Sequence, residues 1–528
     1  MNLGAHLNYT PRDLGFGTSG RRGEVVHLTQ LEIYINALAE LEYLQSLPRA
    51  QGGIELGEEC YFAHDLRPSS TAFLPGDPRR GEIAQAIEAA IRDAGMIPVN
   101  LGAIPTPALT YFALSRGKGS IMVTGSHIPF DRNGYKLNTS AGELLKEHET
   151  PIGDRVRAVR ERLYSQPYDA SAFDASGMFK SGSRNLAPAI DDARRAYMDR
   201  YLKFFDGPFL TGMRLMVYQH SAVGRDLLPD LLREFGACVV PAGRRADFVA
   251  IDTENIQAPQ IAAIQALVDQ SEPVDAVVSA DGDSDRPLLL GVIGGKVKFF
   301  PGDLLGMVTA EYLRADAVVV PISCNDAIDR GELARVLEPK TRIGSPYVIA
   351  GMHAAAARGR RRVCGWEANG GFLLGTDFDG LAKLATRDAV LPMLCALSAA
   401  RKNGLSLAEL FGRLPQRYSR SALLPNFAQA VGREMVKRYS AAESRDELER
   451  LMPADLGLGR IVRVDHTDGV RMTFASGDVI HFRPSGNADE LRVYAVADTE
   501  ARALELAARG VAEPDGILRS LARAAQAA

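Results

Sequence analysis

The sequence predicts an α/β protein made of three related α/β domains followed by a smaller C-terminal α+β domain. Three observations carry this. A unit of helix, glycine and short buried strand recurs, as EIAQAIEAAIRDAG before MIPVNLG, DLLPDLLREFG before ACVVPAG, and GDLLGMVTAEYLRA before DAVVVPIS. From about Leu414 the grammar changes to short β-like segments, GRIVRVDHT, GVRMTFASG, DVIHFRPSG and LRVYAVA, followed by the helical DTEARALELAARG. Finally, 528 residues exceed what a single hydrophobic core serves.

In the first unit Ile83, Ile87 and Ile91 recur every four residues and form one apolar stripe, with Gly95 placed to end the helix. Strands alternating with helices of this length imply βαβ steps, hence sheets with a strong parallel component. The shifts in pattern divide the chain into 1–188, 189–299, 300–412 and 413–528. The longest apolar run, Ala389 to Ala400, contains Pro392 and is too short to cross a bilayer, so it predicts a core helix.

Composition narrows the function. Hydrophobic residues make up 46% and charged residues 24%, ordinary values for a soluble globular protein. A net charge of -4 without a basic tail speaks against a nucleic-acid binder, so an anionic ligand must be held by local positive charge. Cys60, Cys238, Cys324, Cys364 and Cys395 are scattered and form no C-x-x-C pair, which predicts neither a disulfide framework nor a zinc site. The opening MNLGAHLNYTPRDLG lacks a basic start and an apolar core, so no signal peptide is expected and the protein reads as cytoplasmic, with no membrane partner.

In α/β sheets, ligand loops follow the carboxyl ends of strands. Four such loops stand out. The first is IMVTGSHIPFDRNGYKLN, a buried strand turning at Gly125 to present Ser126, with Lys136 ten residues on. His127 is the serine's neighbour and no G-x-S-x-G elbow is present, which argues against a hydrolase triad. In the second, AVVSADGDSDRP, Asp281, Asp283 and Asp285 alternate and can converge on a hard divalent cation. An EF-hand would need Gly and Glu where Arg286 and Val292 stand. Mg2+ suits the site because it leaves positions open for phosphate oxygens. The third loop, RRVCGWEANGG, offers Glu367 and Asn369 for paired sugar hydroxyls. The fourth, HFRPSGNADELRVYAVA, offers Arg483, Ser485, the Gly486 backbone and Asn487, with Arg492 on the next strand, as a phosphate grip.

Taken in order, these loops resemble the α-D-phosphohexomutase family. LGFGTSGRRG is similar to that family's FGTSGxRG with Arg22 at its arginine, HDLRPSS (Asp65, Arg67) to its D-x-R-x-S, and IPTPAL to its PTP segment. TGSHIP…NGYK resembles the phosphoserine loop TASHNP…NGxK, DGDSDR the metal loop DGDGDR, EANGG the sugar loop and RPSGN…LRVY the phosphate loop. The matches run from about residue 14 to 496.

The resemblance implies four domains around a central active-site cleft, three with mixed sheets. It implies a phosphoryl group on Ser126 and one Mg2+ per active site, held by Ser126, Asp281, Asp283 and Asp285. Arg22, Lys136 and Arg286 would assist the transfer catalytically. Phosphate would move between C6 and C1 of a hexose through a hexose 1,6-bisphosphate, which also serves as activator. Mannose phosphate is the expected sugar, with glucose phosphate also turned over. A phosphoglucosamine or N-acetylglucosamine-phosphate mutase is the alternative, as is a metal-dependent sugar phosphatase or sugar-phosphate-binding protein on the same scaffold. The protein would be a monomer or homodimer, with sugar phosphate as its partner.

The pattern departs from the family in places. Ser345 and Gly371 stand where several members carry histidine, which leaves the general acid/base among Lys136, His127 and His353. Gly125 replaces the usual alanine and Ile128 the usual asparagine. A run of Arg358, Arg360, Arg361 and Arg362 is the one feature that suggests nucleic acid, and it reads as a helix cap or a solvated face.

Overall fold

A computed structural model describes the chain except for residues 18, 75, 442, 443, 486–488, 527 and 528, and the side chains of 78 and 79. It is an α/β structure whose helices pack on four main sheets.

The first sheet runs, edge to edge, Ile97–Ala103, Glu59–His64, Ser120–Val123, Arg132–Asn138 and Arg21–Glu24. Its first three strands are parallel and the last two antiparallel to their neighbours. The second sheet repeats the plan with Cys238–Ala242, Arg214–Tyr218, Ala276–Ala280, Pro287–Ile293 and Lys296–Phe300. In the third, Ala317–Val319 lies parallel to Val363–Trp366, and Phe372–Leu374 and Leu384–Asp388 follow antiparallel. The sheets are therefore mixed. Each one turns its central parallel strand back as a hairpin, and that hairpin loop carries the chemistry in all three: 124–131, 281–286 and 367–371.

The third of the repeated sequence units is out of step with the first two. Ile97–Ala103 and Cys238–Ala242 are edge strands two places from the loop-bearing strand, whereas the edge strand Ala317–Val319 sits directly beside it. Helix, glycine and buried strand look alike at any βαβ step, so the pattern does not say which step it is.

The fourth sheet, Tyr418–Pro425, Glu490–Ala497, Val479–Pro484, Val470–Phe474 and Ile461–Asp465, is antiparallel throughout. Its edge strand Tyr418–Pro425 escaped the sequence reading because only Leu424 along it is buried and it ends in proline. Helices Gln429–Tyr439, Glu500–Val511 and Ile517–Gln526 pack with this sheet around Met435, Tyr439, Leu506, Leu518 and Leu521. By contrast, a single large apolar core links the first three sheets, running from Tyr61 through Val278 and Trp366 to Leu414. The run from Ala389 lies in it as the buried helix Val390–Asn403. No helix among the described residues is long and apolar enough to cross a membrane.

Candidate active site

The serine loop is held in an unusual shape. Ser126 is fully buried and has φ of 57°, a left-handed conformation that a non-glycine residue adopts only when its surroundings enforce it. The enforcement is visible. Its backbone N–H donates to Thr124 Oγ1 at 2.7 Å, and the buried Arg67 guanidinium donates to the carbonyls of Ser126 (2.9 Å), Pro129 (2.6 Å), Arg132 (2.8 Å) and Ile128. Asp65 fixes Arg67 in turn, pairing with its Nε at 3.2 Å and accepting the Thr124 hydroxyl at 2.7 Å. The Phe248 ring lies 4.0 Å from the guanidinium. Lysine keeps the charge but cannot bond four carbonyls at once. Arg67→Lys is therefore expected to lower kcat about 100-fold by misplacing the serine, with a lower Tm, as read by steady-state kinetics and calorimetry.

The aspartate loop meets the serine loop back to back. Ser126 Oγ donates to Asp281 Oδ2 at 2.6 Å. A Cβ at Gly282 would lie 2.5 Å from the Ser126 carbonyl oxygen, so only glycine permits this approach. Lys136 Nζ donates to Asp283 Oδ2 at 2.6 Å and to Asp285 Oδ2 at 2.5 Å, and the Thr106 hydroxyl donates to Asp283 Oδ2 at 2.6 Å. One oxygen of each aspartate lies within 4.8 Å of the others, and all three residues are buried. Asp283 Oδ1 and Asp285 Oδ1 have no hydrogen-bond partner. Two orphaned carboxylate oxygens beside a third that holds the serine hydroxyl form a donor set suited to a hard divalent cation.

Electrostatics separates the three carboxyls. Burial, and then the charges of Asp283 and Asp285, push Asp281 well above the usual carboxylate range. Asp283 and Asp285 are buried as deeply, yet their cationic partners outweigh that and hold them low: Lys136 for the first, Arg387, Lys136 and Arg286 for the second. Arg286 NH1 lies 2.9 Å from His127 Nδ1 and its Nε 3.7 Å from Asp285. Burial, then Arg286 and Arg22, hold the His127 imidazole well below its usual value, so it is neutral at pH 7 and accepts from Arg286. His353 lies at the surface of helix Ser345–Ala357, outside this cluster.

Arg22, on the edge strand opposite Gly134, feels burial first and then Arg286 and Arg387, and is lowered to about 10. It belongs to the same cationic group. Glu367 and Asn369 are buried on the third hairpin, where Asn369 Oδ1 accepts the Gly371 N–H at 3.0 Å and its carbonyl accepts the Thr253 hydroxyl at 2.8 Å. On the fourth sheet Arg483 and Arg492 are cross-strand neighbours, and the buried Ser485 donates its N–H to the Glu490 carbonyl. The Arg492 charge is among those that lower His127 and Glu254. Gly486 and Asn487 lie outside the described residues. The arginine run is occupied elsewhere: Arg358 and Arg360 pair with Glu338, and Arg362 with Asp379.

Sequence reasoning missed Arg387, Thr106 and Glu254 as site residues. Thr106 lies in the PTP segment, where a hydroxyl opening a helix was the available signal. Arg387 stands in KLATRDAV, where an arginine inside a wholly buried strand is the clue. Glu254 carries no motif. Burial first, then Asp252, raises it to about 7, while Arg492 and Arg286 pull the other way. Its folded value lies above the unfolded value near 4.5, so the folded state binds the extra proton between those values. Stability should therefore fall as pH rises from about 4.5 to about 7, and Glu254→Gln should flatten that slope in Tm measured against pH.

Comparison with known proteins identifies the family. Residues 13–163 match the profile of phosphoglucomutase/phosphomannomutase alpha/beta/alpha domain I, and residues 301–418 that of domain III. A phosphomannomutase of Sinorhizobium fredii is 38% identical over 94% of this chain and 98% of its own length. The crystal structure of a phosphoglucomutase/phosphomannomutase family protein from Burkholderia thailandensis superposes with a TM-score of 0.66 at 19% identity, covering 96% of this chain and 97% of its own. That of Aspergillus fumigatus N-acetylphosphoglucosamine mutase, in complex with GlcNAc-6P and magnesium, gives 0.55 at 15% identity and covers 98% of each. With a relative this similar along nearly its whole length, the chain belongs to the phosphoglucomutase/phosphomannomutase (α-D-phosphohexomutase) family.

Proposed function

We propose that this protein is a phosphohexomutase that moves a phosphoryl group reversibly between C6 and C1 of a hexose, with mannose phosphate as preferred substrate and glucose phosphate also accepted. The observation that carries the reading is the Ser126 hydroxyl bonded to Asp281 at the edge of a triad with two unpartnered carboxylate oxygens. The similarity to phosphomannomutases supports the choice of sugar. The domains in this reading are 1–188, 189–299, 300–412 and 413–528; the separation of the strands into four main sheets supports the division, although strand Lys296–Phe300 crosses the second limit.

In this reading Ser126 Oγ carries the phosphoryl group, and a sugar hydroxyl attacks its phosphorus in line, so that the new P–O bond to the sugar forms as the bond to Ser126 Oγ breaks. Asp281, Asp283, Asp285 and the phosphorylated Ser126 would hold one Mg2+ ion, which would neutralise charge on the transferring group. Arg22, Arg286 and Lys136 face that group and balance its developing negative charge. Lys136 is the first candidate to exchange the hydroxyl's proton. Glu367 and Asn369 hold ring hydroxyls, while Arg483, Ser485, Gly486, Asn487 and Arg492 grip the phosphate that is not being transferred. The hexose 1,6-bisphosphate formed in the first half must turn over before the serine is rephosphorylated, and the same compound restores enzyme that has lost its phosphate.

The test is a turnover panel with Mg2+ and a trace of hexose 1,6-bisphosphate. Mannose, glucose, glucosamine and N-acetylglucosamine 1-phosphates are supplied, and 6-phosphate and free phosphate are followed together. Rapid formation of mannose 6-phosphate, lost on chelation, is expected. Faster conversion of an amino sugar would reassign the substrate, and free phosphate alone would make the protein a phosphatase.

A further inference from the structure

Among the described residues, Arg387 is the one side chain that ion-pairs with both the aspartate loop and the sugar loop. It sits on strand Leu384–Asp388 and is 2% exposed. Its Nε and NH2 donate to Asp285 Oδ2 at 3.0 and 2.9 Å, while NH1 donates to Glu367 Oε2 at 3.0 Å and to Ser345 Oγ at 3.2 Å. Ser345 passes the connection on, since its hydroxyl donates to Glu143 Oε2 at 2.6 Å and the Thr386 hydroxyl donates to Glu143 Oε1 at 2.6 Å. The planar fork of arginine, with its fixed set of donors, can serve three acceptors in this way; an ammonium cannot hold the same geometry.

The space for this side chain comes from a missing one. A Cβ at Gly371 would lie 2.5 Å from Arg387 Cδ, 2.7 Å from Cγ and 3.0 Å from Cβ. Any side chain at 371 would therefore displace the arginine stem, so Gly371 and Arg387 are a matched pair. The arginine also shapes the cation site. Asp285 Oδ2 is saturated by Arg387 and Lys136, which leaves Oδ1 as the unpartnered oxygen beside Asp283 Oδ1.

We propose that Arg387 is a positioning residue that couples cation binding at Asp285 to sugar recognition at Glu367, and that Gly371 exists to admit it. Charge sharing is the physical basis. One guanidinium divides its attraction between two carboxylates, so a cation that draws on Asp285 leaves Arg387 to hold Glu367 more firmly in the orientation that meets the sugar. Linkage makes the effect reciprocal: the sugar phosphate must tighten the cation by the same factor as the cation tightens the sugar phosphate.

This inference rests on the mutase reading and is tested separately from it. The full-length protein is titrated calorimetrically with Mg2+, with and without saturating amounts of the hexose 1-phosphate it turns over fastest. The ratio of the two Kd values is the coupling factor. Wild type should show a factor of at least about 5, and Arg387→Lys and Gly371→Ala should each bring it close to 1 while Mg2+ alone still binds. Gly371→Ala removes no charged group, so it holds the test if the arginine variants fold poorly. Gly371→Ala should add little in an Arg387→Ala background, because its closest clashes, with Cγ and Cδ of the arginine, are then gone. A wild-type factor of 1, unchanged coupling in both single variants, or additive effects in the double variant would overturn the inference while leaving turnover intact. Absence of turnover with every hexose phosphate would instead overturn the mutase reading, and this inference with it.

Discussion

Ser126→Ala is expected to reduce turnover by about 10^4-fold or more, the scale seen when the nucleophile of a cooperating group is removed. The argument is chemical: the alanine has no oxygen to carry the phosphoryl group between two encounters with the sugar, and no neighbour can replace it. His127 is neutral, accepts from Arg286, and lies with Nδ1 3.4 Å from Ser126 Oγ. The loss should be confined to chemistry. Arg67 holds the loop through backbone carbonyls, which alanine retains, although the left-handed φ of 57° remains as local strain. Sugar-phosphate affinity measured by calorimetry should therefore stay near wild type while kcat collapses. Intact-mass measurement after incubation with hexose 1,6-bisphosphate should show a phosphoryl adduct on wild type and none on the variant. A variant that turns over at even a tenth of the wild-type rate would show that Ser126 is not the carrier.

Asp283→Asn is expected to cost about 10^3-fold in kcat at millimolar Mg2+, a typical scale for removing one preorganised charge from a transition state. Asp283 contributes an unpartnered oxygen, Oδ1, to the triad, while Oδ2 already takes Lys136 and Thr106. An amide of the same shape keeps the packing but loses a full charge, leaving Lys136 with Asp285 alone. Raising Mg2+ should recover part of the activity in the variant, and a chelator should abolish activity in wild type. A variant with unchanged Mg2+ dependence would remove Asp283 from the cation site.

The residues that sequence reading reached are those that stand in recognisable local patterns, even where their partners lie far along the chain. Asp281, Asp283 and Asp285 announce a cation because three like charges at alternate positions need one. Ser126 announces itself by the turn that presents it. Glu254 stands in no motif, and Arg387 offers only the faint sign of an arginine in a buried strand; what each does depends on groups brought near by the fold, Asp285 for the second and Arg492 for the first. The empty position at 371 was visible as a departure from the family pattern, but its cause, an arginine stem from the next strand, needed the structure. The fold shows the same division. Helix-and-strand grammar was plain within each segment, whereas the offset of the third repeat and the exposed edge strand Tyr418–Pro425 depend on which strand pairs with which.

The break in the apolar core has a mechanical consequence. Three sheets share one continuous core, but the buried apolar residues of the C-terminal unit form a separate cluster. Polar bonds cross the join between the two. Arg417 donates to Asp326, the Asn325 amide donates to the Arg417 carbonyl, Arg330 donates to Asp498, and Asp468 accepts the Ile343 N–H. A cavity of about 220 Å³ lined by Phe300, Pro301, Phe411, Pro415 and Tyr418 already lies along this seam. Water can replace such bonds when the seam parts, which exposing a shared oily face would not allow. The body that carries Arg483 and Arg492 can therefore swing while the serine, aspartate and sugar loops stay fixed to one another. A bisphosphate held by its far end would gain room to turn over without the reacting groups losing their alignment.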